Sequence, residues 1–281
     1  MLNSRSKTLE FSIIIPAYNE AKIIGQVVKE LKSYLAQKNY PAEIIAVNDG
    51  STDQTEKILR NITGVRVINH PYNKGYGAAL KTGAQNAQSD WLLWYDGDGQ
   101  HQPEFIEKLL EFTDRYDMII GARTGYQGPL LRRPGKKILH WLANYLTGRK
   151  IPDLNSGLRL VRKKAFRNFS HIFPNGFSIS TTITLAFFRE GLNVKYVPIT
   201  VSKRTGKSFV KTSDGLRAFM LILRTIILFS PLRIFLPISA LIFGLSILSL
   251  IFDILIFSKN ELNIADTTIL LFISSLIFFQ F

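Results

Sequence analysis

The sequence predicts an α/β fold with a parallel, doubly wound sheet, followed by an apolar segment of the kind that enters membranes. The sheet is predicted because short β-branched, apolar runs alternate with helical periodicity, and because several of these runs end in polar loops. The membrane segment is predicted because residues 234–252 carry no charge. As a helix this stretch would extend about 28 Å, close to the thickness of a hydrocarbon core.

The sheet elements are apolar runs bounded by polar or turn-forming residues, and the helices between them carry apolar residues at three- and four-residue spacing. The predicted strands are residues 11–15, 43–47, 65–68, 91–95 and 117–121. The predicted helices are residues 20–37, 55–61, 77–88 and 103–115.

Composition excludes several classes of protein. The chain has 281 residues, of which 46% are hydrophobic and none is cysteine. A disulfide scaffold and any site built on a cysteine nucleophile or ligand are therefore excluded. A mainly disordered chain is also excluded, because there is enough apolar surface for a core.

The basic excess is confined to the middle of the chain. The net charge is +14, but residues 123–230 hold 20 basic and 3 acidic side chains, whereas residues 1–122 and 231–281 are close to neutral. A basic segment that precedes an apolar one favours an anionic partner at a membrane surface over nucleic acid.

Two membrane-spanning helices are predicted, at about residues 234–257 and 264–281. The basic segment precedes the first span and the loop between the spans has one lysine, so the positive-inside rule places residues 1–230 on the cytoplasmic face. Residues 1–10 are polar and do not resemble a signal peptide. The alternative, two buried helices of a soluble domain, is disfavoured because neither run has a polar face.

Two further helices have the amphipathic character of the membrane interface, at about residues 136–147 and 214–230. For the first, packing against the sheet remains an equal alternative. The predicted organisation is a catalytic domain over residues 1–213, an interfacial helix over 214–230 and a membrane domain over 231–281.

Polar side chains cluster where the predicted strands end, which is where open α/β sheets bind ligands. They include Asp49, Arg123 and the pair Asp96 and Asp98, which lies on a loop with two glycines. Two carboxylates two residues apart can face one hard cation, and Mg²⁺ commonly shares its ligands between protein and a bound diphosphate. The sequence therefore predicts a cation and phosphate site at this edge.

The motifs in these loops resemble those of inverting family 2 glycosyltransferases, which have the GT-A fold, a Rossmann-like nucleotide-diphospho-sugar transferase fold. They stand in order at residues 13–20 (IIIPAYNE), 47–53 (VNDGSTD), 73–77 (NKGYG) and 96–100 (DGDGQ). Residues 121–123 (GAR), 153–159 (DLNSGLR) and 204–208 (RTGKS) resemble the polyprenyl-phosphate branch of that family, which includes dolichol-phosphate mannose synthases and bactoprenol glucosyltransferases.

The resemblance implies an enzyme that moves a hexose from a nucleotide sugar, of the GDP-mannose or UDP-glucose type, to a polyprenyl phosphate. It implies Mg²⁺ or Mn²⁺ as cofactor and leaves a homo-oligomer open. The implied nucleotide-sugar site consists of Pro16, Ala17, Tyr18, Glu20, Asp49, Lys74, Gly75, Asp96, Gly97, Arg204 and Lys207. The implied metal ligands are Asp96, Asp98 and Gln100, and the implied acceptor-phosphate residues are Arg123, Arg132 and Arg133.

The resemblance also nominates Asp153, with Arg123 and Asp98, for catalysis. A polyprenyl phosphate is already ionised near pH 7, so a second role for Asp153 stays open, in which it positions an arginine or orients the sugar. Many relatives carry an acidic residue within the segment that corresponds to residues 176–182, where this chain has hydroxyl side chains.

Two other functions stay open at this point. One is a family 2 transferase with another lipid or glycan acceptor. The other is a non-catalytic membrane protein that binds anionic lipid or nucleic acid through the basic segment. The acidic motifs argue against the second, because they would repel phosphate unless a cation intervened.

Overall fold

The computed structural model describes residues 11–124, 133–201, 231–257 and 265–280. These residues belong to two units, and the boundary between the units falls within the undescribed stretch 202–230. The predicted helix at 214–230 lies outside the described residues.

The first unit is built on a mixed sheet. In chain order its strands are β1 (Phe11–Ala17), β2 (Ala42–Asn48), β3 (Val65–Asn69), β4 (Trp91–Trp94), β5 (Met118–Arg123), β6 (Arg159–Arg162) and β7 (Val194–Ile199). Their spatial order is β3-β2-β1-β4-β6-β5-β7. The five predicted strands are confirmed as β1 to β5. The predicted sheet is parallel, but β6 runs antiparallel to both β4 and β5.

The helices of this unit lie between the strands. They are α1 (Ile24–Gln37), α2 (Thr55–Arg60), α3 (Tyr76–Asn86), α4 (Phe105–Leu110), α5 (Arg133–Thr147), α6 (Lys163–Phe169) and α7 (Ile179–Arg189). The four helices predicted between the strands are confirmed, and α5 covers the helix predicted at 136–147. α4 is shorter than predicted, and turns rather than helix follow it.

α1 begins at Ile24, four residues later than predicted. The backbone amides of residues 19–21 donate to side chains that follow β2 instead of entering a helix. Their acceptors are the Ser51 hydroxyl, the Thr55 hydroxyl and the Asp53 carboxylate, at 2.9–3.1 Å. The β1 loop is therefore tied to the β2 loop before the helix starts.

β1 is buried on both faces because helices cover the sheet on each side. Ile13 and Ile15 belong to the core that α1 and α4 complete, and both are fully buried. On the other face, Gly83 of α3 lies so close to Ile14 that a Cβ at position 83 would stand 2.3 Å from an Ile14 methyl group. Glycine is thus required for α3 to approach the sheet.

The second unit consists of α8 (Pro231–Phe257) and α9 (Asp266–Phe279). Their contacts pair early residues of one helix with late residues of the other, so the helices are antiparallel. Ser239 donates to the carbonyl of Ser275 at 2.8 Å, and Asp253 accepts from the Thr268 hydroxyl at 2.8 Å and the Ala265 amide at 3.1 Å. Polar side chains therefore lie between the helices and leave an apolar outer surface.

α8 is the one helix, within the part of the chain that the structure describes, whose length and composition suit a membrane span. The span runs from Phe235 to Leu255, and most of it is exposed. α9 is equally apolar but has 14 residues, about 21 Å of helix. The helical prediction for both runs is confirmed, and the crossing of a membrane by α8 and by α9 stays a prediction.

Candidate active site

A cavity of about 490 Å³ opens where β1, β2 and β4 end. Eleven of the residues predicted from the sequence line it, namely Pro16, Ala17, Tyr18, Glu20, Asp49, Gly75, Asp96, Gly97, Asp98, Gln100 and Arg123. Loops that are far apart in the sequence thus form one site, as the sheet topology predicts.

Other predicted site residues do not line the cavity or cannot be placed. Lys74 and Asp153 are described but are not among its lining residues. Arg133 begins α5, but its side chain lies outside the described residues, as do Arg132, Arg204 and Lys207.

The loop after β4 carries two carboxylates into the cavity. Asp96 accepts a hydrogen bond from the Tyr76 hydroxyl at 2.9 Å and lies 3.6 Å from Nε2 of His101. Burial raises the pKa of the Asp96 carboxyl, but its interactions with His101 and Tyr76 outweigh burial and hold that pKa below its usual value. Asp96 is therefore ionised at neutral pH. The second carboxylate, Asp98, is 8% exposed.

Gly157 supplies the wall against which Asp96 rests. A Cβ at position 157 would stand 1.9 Å from Oδ2 of Asp96, far inside van der Waals contact. Any side chain here would displace the carboxylate. Gly157 lies within the motif at residues 153–159, but its function could not be predicted from the sequence because its proximity to Asp96 is a tertiary contact.

The predicted metal ligands Asp96, Asp98 and Gln100 all line the cavity and carry side-chain oxygens. Among the described residues, no group of three or more His, Cys, Asp or Glu side chains could enclose a metal ion. Two carboxylates and an amide oxygen suit a hard cation that takes its remaining ligands from substrate phosphates and water, as Mg²⁺ commonly does. The residues present therefore fit a cation bound together with a diphosphate.

Asp49, at the end of β2, is held by backbone amides and by a histidine. Its Oδ1 accepts from the Lys74 amide at 2.9 Å, and its Oδ2 accepts from the Gly75 amide at 2.8 Å. Nδ1 of His70 lies 2.6 Å from the same Oδ1. Asp49 is 3% exposed, and the predicted residue Lys74 thus contributes its backbone to this side of the site.

Arg123 and Asp153 form a two-pronged ion pair at the opposite side of the site. Nε and Nη2 of Arg123 donate to the two Asp153 oxygens at 2.7 and 2.9 Å. Burial raises the pKa of Asp153, but the hydrogen bonds and charge of Arg123 outweigh burial and lower it. Both carboxylate oxygens are therefore engaged, and Asp153 is poorly suited to accept a proton.

A buried guanidinium holds the loop that carries Asp153. Arg159, fully buried at the start of β6, donates to the carbonyls of Ser156 and Leu154, both at 2.8 Å. It also donates to the Thr184 hydroxyl of α7 at 2.7 Å. Burial lowers the pKa of Arg159. The guanidinium stays charged because its ordinary pKa lies far above neutral pH.

The hydroxyl side chains of α7 have structural partners in this loop. Thr181 and Thr184 are fully buried, and Thr181 donates to Oδ1 of Asn155 at 3.1 Å. Asn155 itself lines the cavity. α7 thus supports the cavity through hydrogen bonds from its hydroxyl side chains.

Several residues of the cavity wall are not among those predicted from the sequence. Tyr76, Asn155 and Gly157 stand inside the motifs at residues 73–77 and 153–159, so the motifs themselves are the signal that could have found them. Phe177 and Ser180 also line the cavity. Phe177 stacks on Tyr76, with ring centroids 5.1 Å apart, and no pattern in the sequence indicates this contact.

Comparisons with known proteins identify the family of the chain. Residues 12–169 match the family model Glycosyl transferase family 2, and residues 230–281 match the model GtrB C-terminal hairpin. An uncharacterized protein of Methanocaldococcus jannaschii is 32% identical over 68% of this chain and 80% of its own length. The UDP-N-acetylglucosamine–dolichyl-phosphate N-acetylglucosaminyltransferase of Methanococcus voltae is 31% identical over 66% of this chain and 83% of its own.

A solved structure with the same fold is glucosyl-3-phosphoglycerate synthase of Mycobacterium tuberculosis in complex with Mn²⁺, UDP and phosphoglyceric acid. It superposes with a TM-score of 0.63 at 20% identity and covers 78% of each chain. The predicted GT-A fold is thereby confirmed. The family match spans more than half of the chain and contains the strand-end loops of the cavity, so the chain belongs to glycosyl transferase family 2 and is a glycosyltransferase.

Proposed function

We propose that this protein is a membrane-bound, inverting transferase that moves a hexose from a nucleotide sugar to the phosphate of a polyprenyl lipid. The observation that carries the proposal is the cavity itself, which has the Asp96 and Asp98 carboxylates in one wall and Arg123 in another. The relative from Methanococcus voltae, whose name states a UDP-sugar donor and dolichyl phosphate as acceptor, supports it.

The nucleotide is proposed to lie against the β1 and β2 loops, formed by Pro16, Ala17, Tyr18 and Glu20 and by Asp49. An ionised carboxylate has about four lone-pair positions, and protein donors fill three of them at Asp49. The remaining position can only accept a hydrogen bond, so a ligand that binds there must present an N–H or O–H group. A nucleobase that presents an N–H to Asp49 meets this requirement.

Mg²⁺ or Mn²⁺ is the proposed cofactor, held by Asp96 and Asp98 with Gln100 nearby. When bound, the ion would neutralise negative charge on the leaving diphosphate. The solved complex of glucosyl-3-phosphoglycerate synthase contains Mn²⁺ together with UDP, which supports a divalent ion here.

The lipid phosphate is proposed to bind Arg123, with Arg132 or Arg133 as further cations. A guanidinium matches phosphate oxygens two at a time, and its five N–H donors allow it to serve a carboxylate and a phosphate together. We assign Asp153 the task of holding Arg123 in place. The bidentate contact with Arg123 and the lowered pKa of Asp153 support this over a general base.

In the proposed reaction, an ionised oxygen of the lipid phosphate attacks the anomeric carbon of the sugar. The bond between that carbon and the β-phosphate oxygen breaks, and the nucleoside diphosphate leaves with the electron pair. The attacking oxygen carries no proton near pH 7, so the step needs no base. The residues Arg204 and Lys207 are proposed to close over the donor.

Membrane attachment is proposed through α8 and α9, with the catalytic unit on the cytoplasmic face. α5 is proposed to lie in the headgroup region. Its residues Ile138, Trp141 and Tyr145 are exposed, and the Trp141 and Tyr145 rings stack at 5.7 Å. Exposed Trp and Tyr side chains on a helix suit the membrane interface, because the apolar ring can face the hydrocarbon while its N–H or O–H group contacts water.

The test is a donor screen with the full chain purified in detergent. The protein is incubated with a divalent cation, a polyprenyl phosphate and radiolabelled UDP-glucose, UDP-N-acetylglucosamine or GDP-mannose in turn. Label that enters the organic phase with one donor, and only when the lipid phosphate is present, is the expected result. No lipid-phase label with any of these donors would refute the proposal.

A further inference from the structure

His70 links the end of β3 to both the β2 loop and α3. It is 7% exposed, and its backbone amide donates to the carbonyl of Asn48 at 2.9 Å. Its Nδ1 lies 2.6 Å from Oδ1 of Asp49, and its Nε2 lies 2.9 Å from the hydroxyl of Thr82 in α3. Both ring nitrogens therefore have a partner, and the ring has one orientation.

The partners assign the proton on the ring. An ionised Asp49 can only accept, so Nδ1 of His70 carries the hydrogen. In the neutral imidazole Nε2 then accepts from the Thr82 hydroxyl. The Thr82 hydroxyl then donates to Nε2 and supports the tautomer that donates to Asp49.

The His70 donor determines how the Asp49 carboxylate can turn. With His70 and the Lys74 amide on Oδ1, and the Gly75 amide on Oδ2, one acceptor position remains, and it is on Oδ2. Without the His70 donor, positions would be vacant on both oxygens. The carboxylate could then meet a ligand in more than one geometry.

We propose that His70 is a positioning residue for nucleotide recognition, which holds Asp49 in the one orientation that leaves an Oδ2 position for the N–H of the base. This inference rests on the proposed function, in which Asp49 binds the base. It assigns His70 no contact with the substrate.

Two substitutions separate positioning from simple stabilisation. The amide nitrogen of Asn reaches the place of Nδ1, and the amide nitrogen of Gln reaches toward the place of Nε2. His70→Asn therefore keeps a donor for Asp49 and gives up the contact with Thr82, whereas His70→Gln does the reverse. The two variants differ little in size and polarity, so each is a control for the other.

The measurement is calorimetric binding of UDP and GDP, with Mg²⁺, to the full chain in detergent, together with kcat and the donor KM. We expect His70→Gln to bind the preferred nucleotide about tenfold more weakly, with a matching rise in KM, because a hydrogen bond to a charged group is lost. His70→Asn should stay within about threefold of the unchanged protein, and kcat should change little in both variants.

Equal binding by His70→Gln and the unchanged protein would overturn the inference. So would equal losses in both variants that follow their melting temperatures, since that pattern indicates stabilisation alone. If His70→Gln does not fold, Thr82→Val tests the same chain of contacts, with about threefold weaker binding expected and an unaltered affinity contradicting it. Failure of the unchanged protein to bind either nucleotide would refute the nucleotide site itself and the inference with it.

Discussion

Asp49 on one side of the cavity and the Arg123–Asp153 pair on the other are both largely buried, but the protein holds them differently. Asp49 accepts from two consecutive backbone amides, so the turn after β3 fixes it. Asp153 also accepts from two backbone amides, those of Arg123 at 3.2 Å and Asn155 at 3.0 Å, but its side-chain partner is the Arg123 guanidinium, which donates to both of its oxygens. Its loop depends on a second guanidinium, that of Arg159. The difference lies in the side-chain partner, which is an imidazole on one oxygen of Asp49 and a guanidinium on both oxygens of Asp153, and each of these partners is distant in sequence.

The largest effect is expected at the cation site. Asp98→Asn removes a carboxylate but keeps the side chain's size, so sugar transfer should fall at least about a hundredfold, with little change in melting temperature. Glu104→Gln is the matched control, because Glu104 is exposed and does not line the cavity. Initial rates at saturating Mg²⁺ would measure both variants, and near-normal transfer by Asp98→Asn would contradict the proposed cation role.

Gly157→Ala should have the next largest effect. Its Cβ would collide with Oδ2 of Asp96, so the carboxylate must move, and a displacement of about 1 Å at a catalytic group can lower the rate about a hundredfold. Gly176→Ala is the control, since a Cβ there meets nothing within 4 Å. Comparable rates for the two variants would show that Asp96 does not need its present position.

Asp153→Asn tests whether Asp153 positions Arg123 or accepts a proton as a general base. As a positioning residue, its loss should raise the KM for the lipid phosphate about tenfold and leave kcat within about tenfold. Loss of a general base would instead lower kcat by about 10²- to 10⁴-fold. Steady-state kinetics with varied acceptor concentration distinguish the two results.

The smallest effect concerns acid stability. The pKa of Asp153 is lower in the folded chain than its ordinary value, so its contribution to stability is present above about pH 4 and is lost as the pH falls through the folded pKa. Asp153→Asn should therefore melt below the unchanged protein at pH 7, and the gap should narrow toward pH 3. A gap that does not depend on pH would contradict the charged pair.

The predictable part of the fold is the part with local signals. β1 to β4 are apolar runs ended by polar loops, and those loops supply most of the cavity. β6 is different, because its four residues begin and end with arginine and its partners β4 and β5 are distant in sequence. β7 contains a lysine and a proline, so neither strand has the apolar pattern that identified the others.

The candidate site divides along the same line. Asp49, Asp96 and Asp98 could be predicted because each directly follows or lies just beyond a strand. Their supports could not, because the contacts of His70 with Asp49 and of Gly157 with Asp96 join residues 21 and 61 positions apart in the sequence. The buried Thr184 of α7 is a further example, since its partner Arg159 lies on another element.

The central claim is that sugar, and not sugar phosphate, passes to the lipid phosphate. It is tested most directly by quantifying both products of one reaction, the nucleotide by chromatography and the lipid by mass spectrometry. The account predicts one nucleoside diphosphate for each lipid molecule, which carries one phosphate and one hexose. Release of nucleoside monophosphate with a lipid that carries two phosphates would contradict it.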